Sequence, residues 1–235
     1  MLYVLPWGQM SFWGEFSCPI CLSNSSDIRL YSLFAFIGPH NYFILSILTG
    51  SLLGNGSAEF FNNSTRICFN LEAPHTPYLF WFHSLIYLQG YTPYPTPTLN
   101  PRLGKYGKIR HIMRFHTYSY SSFNWIHDSW YNGKIKRIPD TPIIEKYLSP
   151  LTLTIWLMHD GAKVSTGLKF YTNGFRLSDV ERLSLLLHLK FNLFTNIQSA
   201  GRPDQYIIFL PNKEIEKLKQ IVGPYLHPTM KYKLY

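Results

Sequence analysis

The chain has 235 residues and a mass of 27.5 kDa, which is enough for one large domain or two of about 110 residues. It carries 22 Lys and Arg against 13 Asp and Glu, a formal net charge of +9. Only 15% of its residues are charged and 17% are aromatic, which excludes an acidic disordered tail. The positive excess predicts a polyanionic partner, either nucleic acid or an anionic membrane surface.

Three cysteines, Cys18, Cys21 and Cys68, are too few for a disulfide framework, and their odd number indicates a reducing compartment. Cys18 and Cys21 form a C-x-x-C pair. A structural zinc site needs two further ligands, and the sequence has no second pair at a suitable spacing. The cysteines therefore do not predict a zinc site.

The longest apolar stretches, residues 31–38 and 42–54, are both shorter than the roughly 18 to 20 residues that cross a bilayer. We therefore expect no membrane span and place both stretches in a protein core. The first residues lack the pattern of a signal peptide and the Arg-rich pattern of an organellar presequence. Synthesis inside an organelle would need no presequence.

Residues 1–40 are unusually aromatic and form an extension that we expect to cover a partner surface. Apolar spacing then predicts a helix over 42–54, which ends at a Gly. The following segments predict strands at 57–61 and 66–71, a helix at 76–89, strands within 108–120 and a helix at 122–131. The Pro-rich residues 91–102 predict an extended linker or loop, because Pro supplies no backbone donor.

A second set of elements repeats this order. Helical spacing recurs at residues 148–160, and it is followed by a predicted strand at 168–172, a helix at 178–190, strands near 194–198 and 206–210 and a helix at 213–222. The sequence therefore predicts two tandem α+β repeats of about 100 residues rather than a solenoid. We divide the chain into an extension (1–40), a first repeat (41–140) and a second repeat (141–235).

Two segments carry a family resemblance: ILTGSLLGNG at residues 47–56 and LTIWLMHDG at residues 153–161. They resemble the two LAGLIDADG motifs of single-chain homing endonucleases and intron maturases, in the branch encoded in organellar introns. Further matches are SFNWIHDSWY, KRIPDTPIIEKYLSP, FYTNGFRLSDVERL and PYLHPTMKYKLY. The resemblance extends from about residue 38 to the end of the chain.

The resemblance implies an α+β fold of two pseudo-symmetric αββαββα halves, whose antiparallel sheets form a saddle over nucleic acid. It also implies that the two motif helices pack against each other at the pseudo-twofold axis. Gly50, Ser51 and Gly54 are small residues at helical spacing, which allows two backbones to approach closely. The alternative is that this pattern reflects only tight packing in a core.

In this family an acidic residue ends each motif, and the two carboxylates hold divalent cations that activate water. The second motif keeps Asp160, preceded by His159, but the first motif ends in Asn55. An amide carries no negative charge, so we expect a weak or vestigial metal site at Asp160, and Mg²⁺ as cofactor only if activity remains. Efficient cleavage of both strands is not expected, and nicking stays open.

Lys136 and Lys233 fall where the family places its active-site lysines. The resemblance therefore implies that they belong to the same pocket as the two motif ends. The alternative is that both are ordinary solvated lysines.

Basic and aromatic residues alternate in the predicted sheet of the first repeat, and no acidic residue lies between Glu72 and Asp128. Cations neutralise phosphates, and aromatic rings stack on exposed bases. The predicted nucleic-acid contacts are Arg102, Lys105, Lys108, Arg110, Arg114, Tyr118, Tyr120 and Lys169. The alternative is a solvated strand face without a partner.

Three functions follow from these observations. We expect an RNA-binding structural component of an organellar ribonucleoprotein, such as the mitochondrial ribosome, because Asn55 opposes catalysis. The alternatives are a group I intron maturase and an active site-specific DNA endonuclease.

The expected partners are RNA, either ribosomal or intron RNA, in preference to DNA, together with protein neighbours in a large assembly. The expected state is a monomer with internal pseudo-twofold symmetry. We expect an organelle-encoded protein of the mitochondrial matrix, with the chloroplast as second choice.

Overall fold

The computed structural model describes residues 40–73, 76–103, 107 and 109–235. The N-terminal extension, which includes Cys18 and Cys21, lies outside the described residues, as do Lys105 and Lys108. In the described part of the chain, every helix is too short or too polar to cross a membrane.

The first half contains a four-stranded antiparallel sheet in the order β1-β2-β4-β3. Its elements are α1 (Tyr42–Leu53), β1 (Gly56–Phe61), β2 (Ser64–Ala73), α2 (Thr76–Tyr87), β3 (Leu99–Leu103), β4 (Ile109–His116) and α3 (Asn124–Trp130). A single 3₁₀ turn, Ser121–Phe123, precedes α3.

A short connection leads to the second half. It comprises β5 (Tyr131–Asn132) and β6 (Ile135–Lys136), which form a small hairpin, and α4 (Thr141–Tyr147).

The second half contains another four-stranded antiparallel sheet, in the order β7-β8-β10-β9. Its elements are α5 (Pro150–Asp160), β7 (Gly161–Val164), β8 (Gly167–Tyr171), α6 (Leu177–Phe191), β9 (Asn196–Ser199), β10 (Tyr206–Pro211) and α7 (Asn212–Val222), and the chain ends in 3₁₀ segments at Gly223–Tyr225 and Pro228–Lys233. Both halves therefore follow the order αββαββα, which confirms the predicted α+β fold.

The two motif helices begin at side-chain caps. The Asn41 side chain accepts a hydrogen bond of 2.8 Å from the Ile44 amide at the start of α1. The Ser149 hydroxyl accepts one of 3.1 Å from the Thr152 amide at the start of α5, where Pro150 occupies the first turn. Both helices are apolar on nearly all sides, which is typical of helices buried in a core.

The motif helices α1 and α5 pack directly against each other. A Cβ atom on Gly50 would lie 2.6 Å from the Thr152 carbonyl oxygen and 2.8 Å from the Ile155 Cβ. A Cβ atom on Gly54 would lie 2.7 Å from the Cβ of His159. The predicted helix pairing is therefore confirmed, and these two glycines are required by the close approach of the backbones.

The structure corrects the prediction for the Pro-rich segment. Its last residues belong to β3, which pairs with β4 at the edge of the first sheet. Pro101 lies opposite His111, and an edge strand tolerates Pro because one side of it needs no donor. Three further elements, α4, β7 and the β5–β6 hairpin, were not predicted from the sequence. The domain boundaries at residues 40 and 140 stay a prediction.

Candidate active site and nucleic-acid interface

The two motif ends lie at equivalent places in the two halves. Asn55 lies in the turn between α1 and β1, and Asp160 is the last residue of α5, directly before β7. The side chain of Asn55 is exposed and that of Asp160 is half-buried. Each motif therefore places its last polar residue where a buried helix meets the first strand of a sheet.

Lys136 and Lys233 each bind backbone carbonyls at one of these ends. The Lys136 ammonium donates to the Gly56 carbonyl at 2.7 Å and lies 3.5 Å from that of Gly54, so it contacts the residues on both sides of Asn55. The Lys233 ammonium donates to the carbonyls of Met158 at 2.6 Å and His159 at 3.2 Å. The carbonyls of Met158 and His159 lie in the last turn of α5, where the helix carries partial negative charge that favours a cation, whereas the Gly56 carbonyl belongs to β1.

Three charged groups influence one another in this site. Burial lowers the pKa of Lys136 and of Lys233 to about 8, and the negative charge of Asp160 acts in the opposite direction on both. Burial raises the pKa of Asp160 to about 6, against the effect of the two ammonium groups. At neutral pH the two cations and one anion leave the site with net positive charge. The structure therefore brings together the residues that the resemblance assigned to one pocket.

His159 lies beside the three charged residues of the site but adds no charge to them. Burial, with added repulsion from Lys233 and Lys136, lowers the pKa of His159 to about 3. Its ring lies 5.1 Å from the ring of Phe82, and both ring nitrogens are buried with no hydrogen-bond partner among the described residues. His159 is therefore a neutral packing residue beneath the site at neutral pH.

The donor set does not fit a centre for two divalent cations. Asp160 supplies one carboxylate and Asn55 only an amide oxygen, while two ammonium groups add positive charge. Among the described residues, no group of three or more His, Cys, Asp or Glu side chains could hold a metal ion. The weak metal site at Asp160 stays a prediction.

Two predicted phosphate contacts share one carboxylate on the first sheet. Arg102 and Arg110 lie opposite each other on β3 and β4. Their guanidinium groups contact Glu72 of β2 at 3.3 Å and 3.1 Å. Strand pairing places the Glu72 carboxylate between the two arginines, a contact that was not predicted from the sequence. Their combined charge is therefore partly compensated.

Arg114, unlike Arg102 and Arg110, forms no ion pair with a carboxylate of the described residues. Its side chain is exposed on β4 and donates to the neutral Asn70 amide oxygen at 3.2 Å. Arg66, which pairs with Glu59 at 2.8 Å, lies on the neighbouring strand and was missed. The alternation of Arg66, Asn70 and Glu72 along β2 is the signal that could have identified this face.

The two predicted stacking tyrosines are placed differently from the prediction. Tyr120 is only 4% exposed and packs against Tyr91 and Phe123, with ring centroids 5.6 Å and 4.9 Å away. Its backbone pairs with Thr65, so the chain folds back over the core after β4 instead of continuing along the sheet. The prediction that Tyr120 stacks on bases is wrong. Tyr118 is half-buried against the same core.

Lys169 lies on β8 of the second sheet, half-buried between its cross-strand partners Ala162 and Phe209. Tyr171, two residues along the same strand face, is 45% exposed. Lys169 is the one cation that the described strands place on this face. Lys163 on β7 is the other Lys of this sheet, so its described strands carry two Lys and no carboxylate, whereas those of the first sheet carry four Arg and two Glu.

Comparisons with known proteins agree with this geometry. The cytochrome b mRNA maturase bI2 of Saccharomyces cerevisiae is 44% identical over 207 residues, which cover 84% of this chain and 48% of that protein. The chain therefore spans about half the length of that relative. The cytochrome b mRNA maturase bI2 of Debaryomyces hansenii is 39% identical over 218 residues, covering 92% of this chain and 80% of that protein.

A solved structure shows the same fold. The homing endonuclease I-WcaI, bound to its DNA recognition sequence, superposes with a TM-score of 0.72 at 26% identity, covering 91% of this chain and 94% of that one. The sequence profile of the LAGLIDADG DNA endonuclease family matches residues 45–218. With its paired motif helices, two equivalent sheets and a site at the motif ends, this chain belongs to the LAGLIDADG DNA endonuclease family.

Proposed function

We propose that the chain acts as a maturase, which binds intron RNA and helps it to fold for splicing. Its relatives at 44% and 39% identity are cytochrome b mRNA maturases. They favour the maturase alternative over the ribosomal component that the sequence analysis preferred. The intron of a cytochrome b transcript is accordingly the proposed RNA, and the mitochondrion is the proposed compartment.

The observation that carries this proposal is the net positive charge of the site at the motif ends. Lys136 and Lys233 are each held at backbone carbonyls near a motif end, and Asp160 is the one carboxylate that acts on both among the described residues. A site with two cations and one anion attracts phosphate oxygens more readily than divalent metal ions. It is therefore better suited to holding a nucleic-acid backbone than to hydrolysing two strands.

The charged face of the first sheet supports the same function. Arg114 is available to phosphates, and Arg102 and Arg110 retain net positive charge around Glu72. Each phosphate contact contributes a salt dependence of about 0.7 to 0.9 in the slope of log affinity against log salt. RNA binding through this face should therefore weaken steeply as salt is raised.

The test compares a transcript containing a cytochrome b intron with duplex DNA of the same sequence. Affinity is measured across a salt series, and splicing of the transcript is followed with and without the protein. We expect tighter binding to the intron RNA and faster splicing. Preference for the duplex, without an effect on splicing, would reject the maturase function.

A second candidate is a site-specific DNA endonuclease, in which the site would act on DNA with a divalent cation such as Mg²⁺. The similarity to I-WcaI over 91% of this chain favours it. Incubation of a plasmid carrying the intron insertion site with Mg²⁺ separates the two candidates. Linear product supports the endonuclease, whereas intact or merely nicked plasmid is the result expected for the maturase.

A further inference from the structure

We propose that Asp179 and Arg182, on α6 of the second half, are positioning residues that hold Lys136 in the site at the motif ends. They act through the backbone of Ile138, two residues after Lys136. The inference deepens the proposed function, because it concerns the same nucleic-acid site. Neither residue touches the site itself.

The first step is that side chains of α6 bind the buried backbone of Ile138. Ile138 is 1% exposed, so water cannot satisfy its backbone groups. Its amide donates to the Asp179 carboxylate at 3.3 Å, and its carbonyl accepts from the Arg182 guanidinium at 2.7 Å. Both polar groups of this residue are therefore bound by side chains from the other half of the protein.

The second step is the ion pair that orients these two side chains. The same nitrogen of Arg182 donates to the second carboxylate oxygen of Asp179 at 2.8 Å. The side chains of Asp179 and Arg182 are only 12% and 28% exposed. The two side chains and the Ile138 backbone form a closed ring of hydrogen bonds, and Arg182 also lies 4.0 Å from the exposed Asp140 carboxylate. Removal of either side chain of the ring leaves one polar group of the buried Ile138 backbone without its partner.

The third step links this ring to Lys136. The β5–β6 hairpin that carries Lys136 has two residues in each strand, too few to be stable alone. Two consecutive residues after Lys136 tie this chain. Arg137 binds the end of α3, with its amide donating to the Trp130 carbonyl at 2.7 Å and its guanidinium to the Ser129 carbonyl at 3.1 Å, and Ile138 is held by the ring. Lys136 then extends to the Gly56 carbonyl and lies 5.8 Å from the Phe175 ring of the second half.

Lys233 provides an internal control. It reaches the carbonyls of α5 from the C-terminal 3₁₀ segment Pro228–Lys233, a different element from the hairpin that carries Lys136. Loss of the ring at Ile138 should therefore release Lys136 and leave Lys233 in place. General loosening of the protein would affect both lysines.

Three variants separate positioning from simple stabilisation. Arg182→Met keeps most of the side-chain volume and removes the donor to the Ile138 carbonyl. Asp179→Asn keeps an oxygen that can accept from the Ile138 amide and removes the charge. The double variant Asp179→Arg with Arg182→Asp restores opposite charges but presents a donor to the amide and an acceptor to the carbonyl.

In the experiment, the full chain is acetylated with a small amine-reactive reagent such as acetic anhydride. Peptide mass spectrometry then gives the rate of acetylation at each lysine. In Arg182→Met we expect Lys136 to react roughly tenfold faster, the ratio that corresponds to loss of one hydrogen bond to a charged group. Lys233 should react at the wild-type rate. The charge-swapped variant should not restore protection of Lys136, and Asp179→Asn should give a smaller increase than Arg182→Met.

Three results would overturn the proposal: an unchanged Lys136 rate in a folded Arg182→Met protein, an equal increase at both lysines, or full protection in the charge-swapped variant. If Arg182→Met does not fold, Arg182→Lys, which cannot bridge two acceptors in the same way, gives the same readout. The measurement needs no nucleic acid. Selective release of Lys136 in a protein without RNA affinity would support the positioning role and reject the proposed function.

Discussion

Lys136 and Lys233 each place an ammonium group on a backbone carbonyl near a motif end, 2.7 Å from the Gly56 carbonyl after Asn55 and 2.6 Å from the Met158 carbonyl before Asp160. The residues that end the two motifs differ in charge, because Asn55 is an amide and Asp160 a carboxylate. The site therefore has a cation near each motif end but a carboxylate at only one of them. This asymmetry leads to the first two predictions.

Asn55→Asp should restore the missing carboxylate and increase Mg²⁺-dependent cleavage of DNA carrying the intron insertion site. Removal of one such electrostatic group commonly costs roughly 100-fold in rate, and we expect a gain of that order. The assay is conversion of supercoiled plasmid to nicked and linear forms. Asn55→Ser, which adds no charge, is the matched control. Equal rates in the two variants would mean that charge at this position does not limit cleavage.

Affinity for RNA should depend on pH through the three charged groups of the site. Below about pH 6 Asp160 takes up a proton, which removes the negative charge and should raise affinity for phosphate. Above about pH 8 Lys136 and Lys233 lose protons, which removes positive charge and should lower affinity. Fluorescence anisotropy from pH 5 to pH 9.5 at constant ionic strength measures both steps.

The control for the pH prediction is Asp160→Asn. It should lack the acidic step, and the loss of affinity at high pH should remain but begin at a lower pH, because Asp160 no longer raises the pKa of the two lysines. An acidic step that persists in this variant would assign the pH dependence to another group.

Gly50→Ala should destabilise the protein, because the new Cβ would lie 2.6 Å from the Thr152 carbonyl oxygen. Overpacking of a core commonly costs about 1 to 3 kcal/mol, and we expect the upper part of that range because the contact is with backbone. The free energy of unfolding in urea is the measurement. Gly174→Ala is the control, since no atom of the described residues lies within 4 Å of its Cβ position, and it should change stability by about 0.5 kcal/mol or less.

Glu72→Gln should increase affinity for nucleic acid of any sequence, because it releases Arg102 and Arg110 from the carboxylate between them. Each arginine that gains a phosphate should steepen the salt slope by about 0.7 to 0.9. Affinity across a salt series measures both quantities. Glu181→Gln, an exposed position on α6, changes the net charge equally and serves as control. Equal gains from the two variants would indicate a general charge effect.

Much of the fold follows from local patterns. The apolar runs that end at Gly54 and Gly161 predict the two buried motif helices, and the order of elements after each predicts two equivalent halves. A helix or strand displays its buried face with a period of 3.6 or 2 residues, so such patterns can be recognised without knowledge of partners. Asn55 opposite Asp160 could likewise be identified from the motifs alone.

The partners of individual side chains were decided by tertiary structure. The register of β2, β3 and β4 places Glu72 between Arg102 and Arg110, and the turn of the chain after β4 buries Tyr120. The ring formed by Asp179, Arg182 and Ile138 joins two halves.

Strand register and contact between halves depend on the packing of segments far apart in the chain, which no local period encodes. The charge states of the site residues also depend on contacts between distant segments. The pKa values of Lys136, Asp160 and Lys233 are displaced by burial and by one another, and neither cause exists until the three residues meet at the ends of the motif helices. The two halves and the residue types of the site can therefore be recognised from local patterns, whereas the charges and contacts of these residues arise from the packing of distant segments.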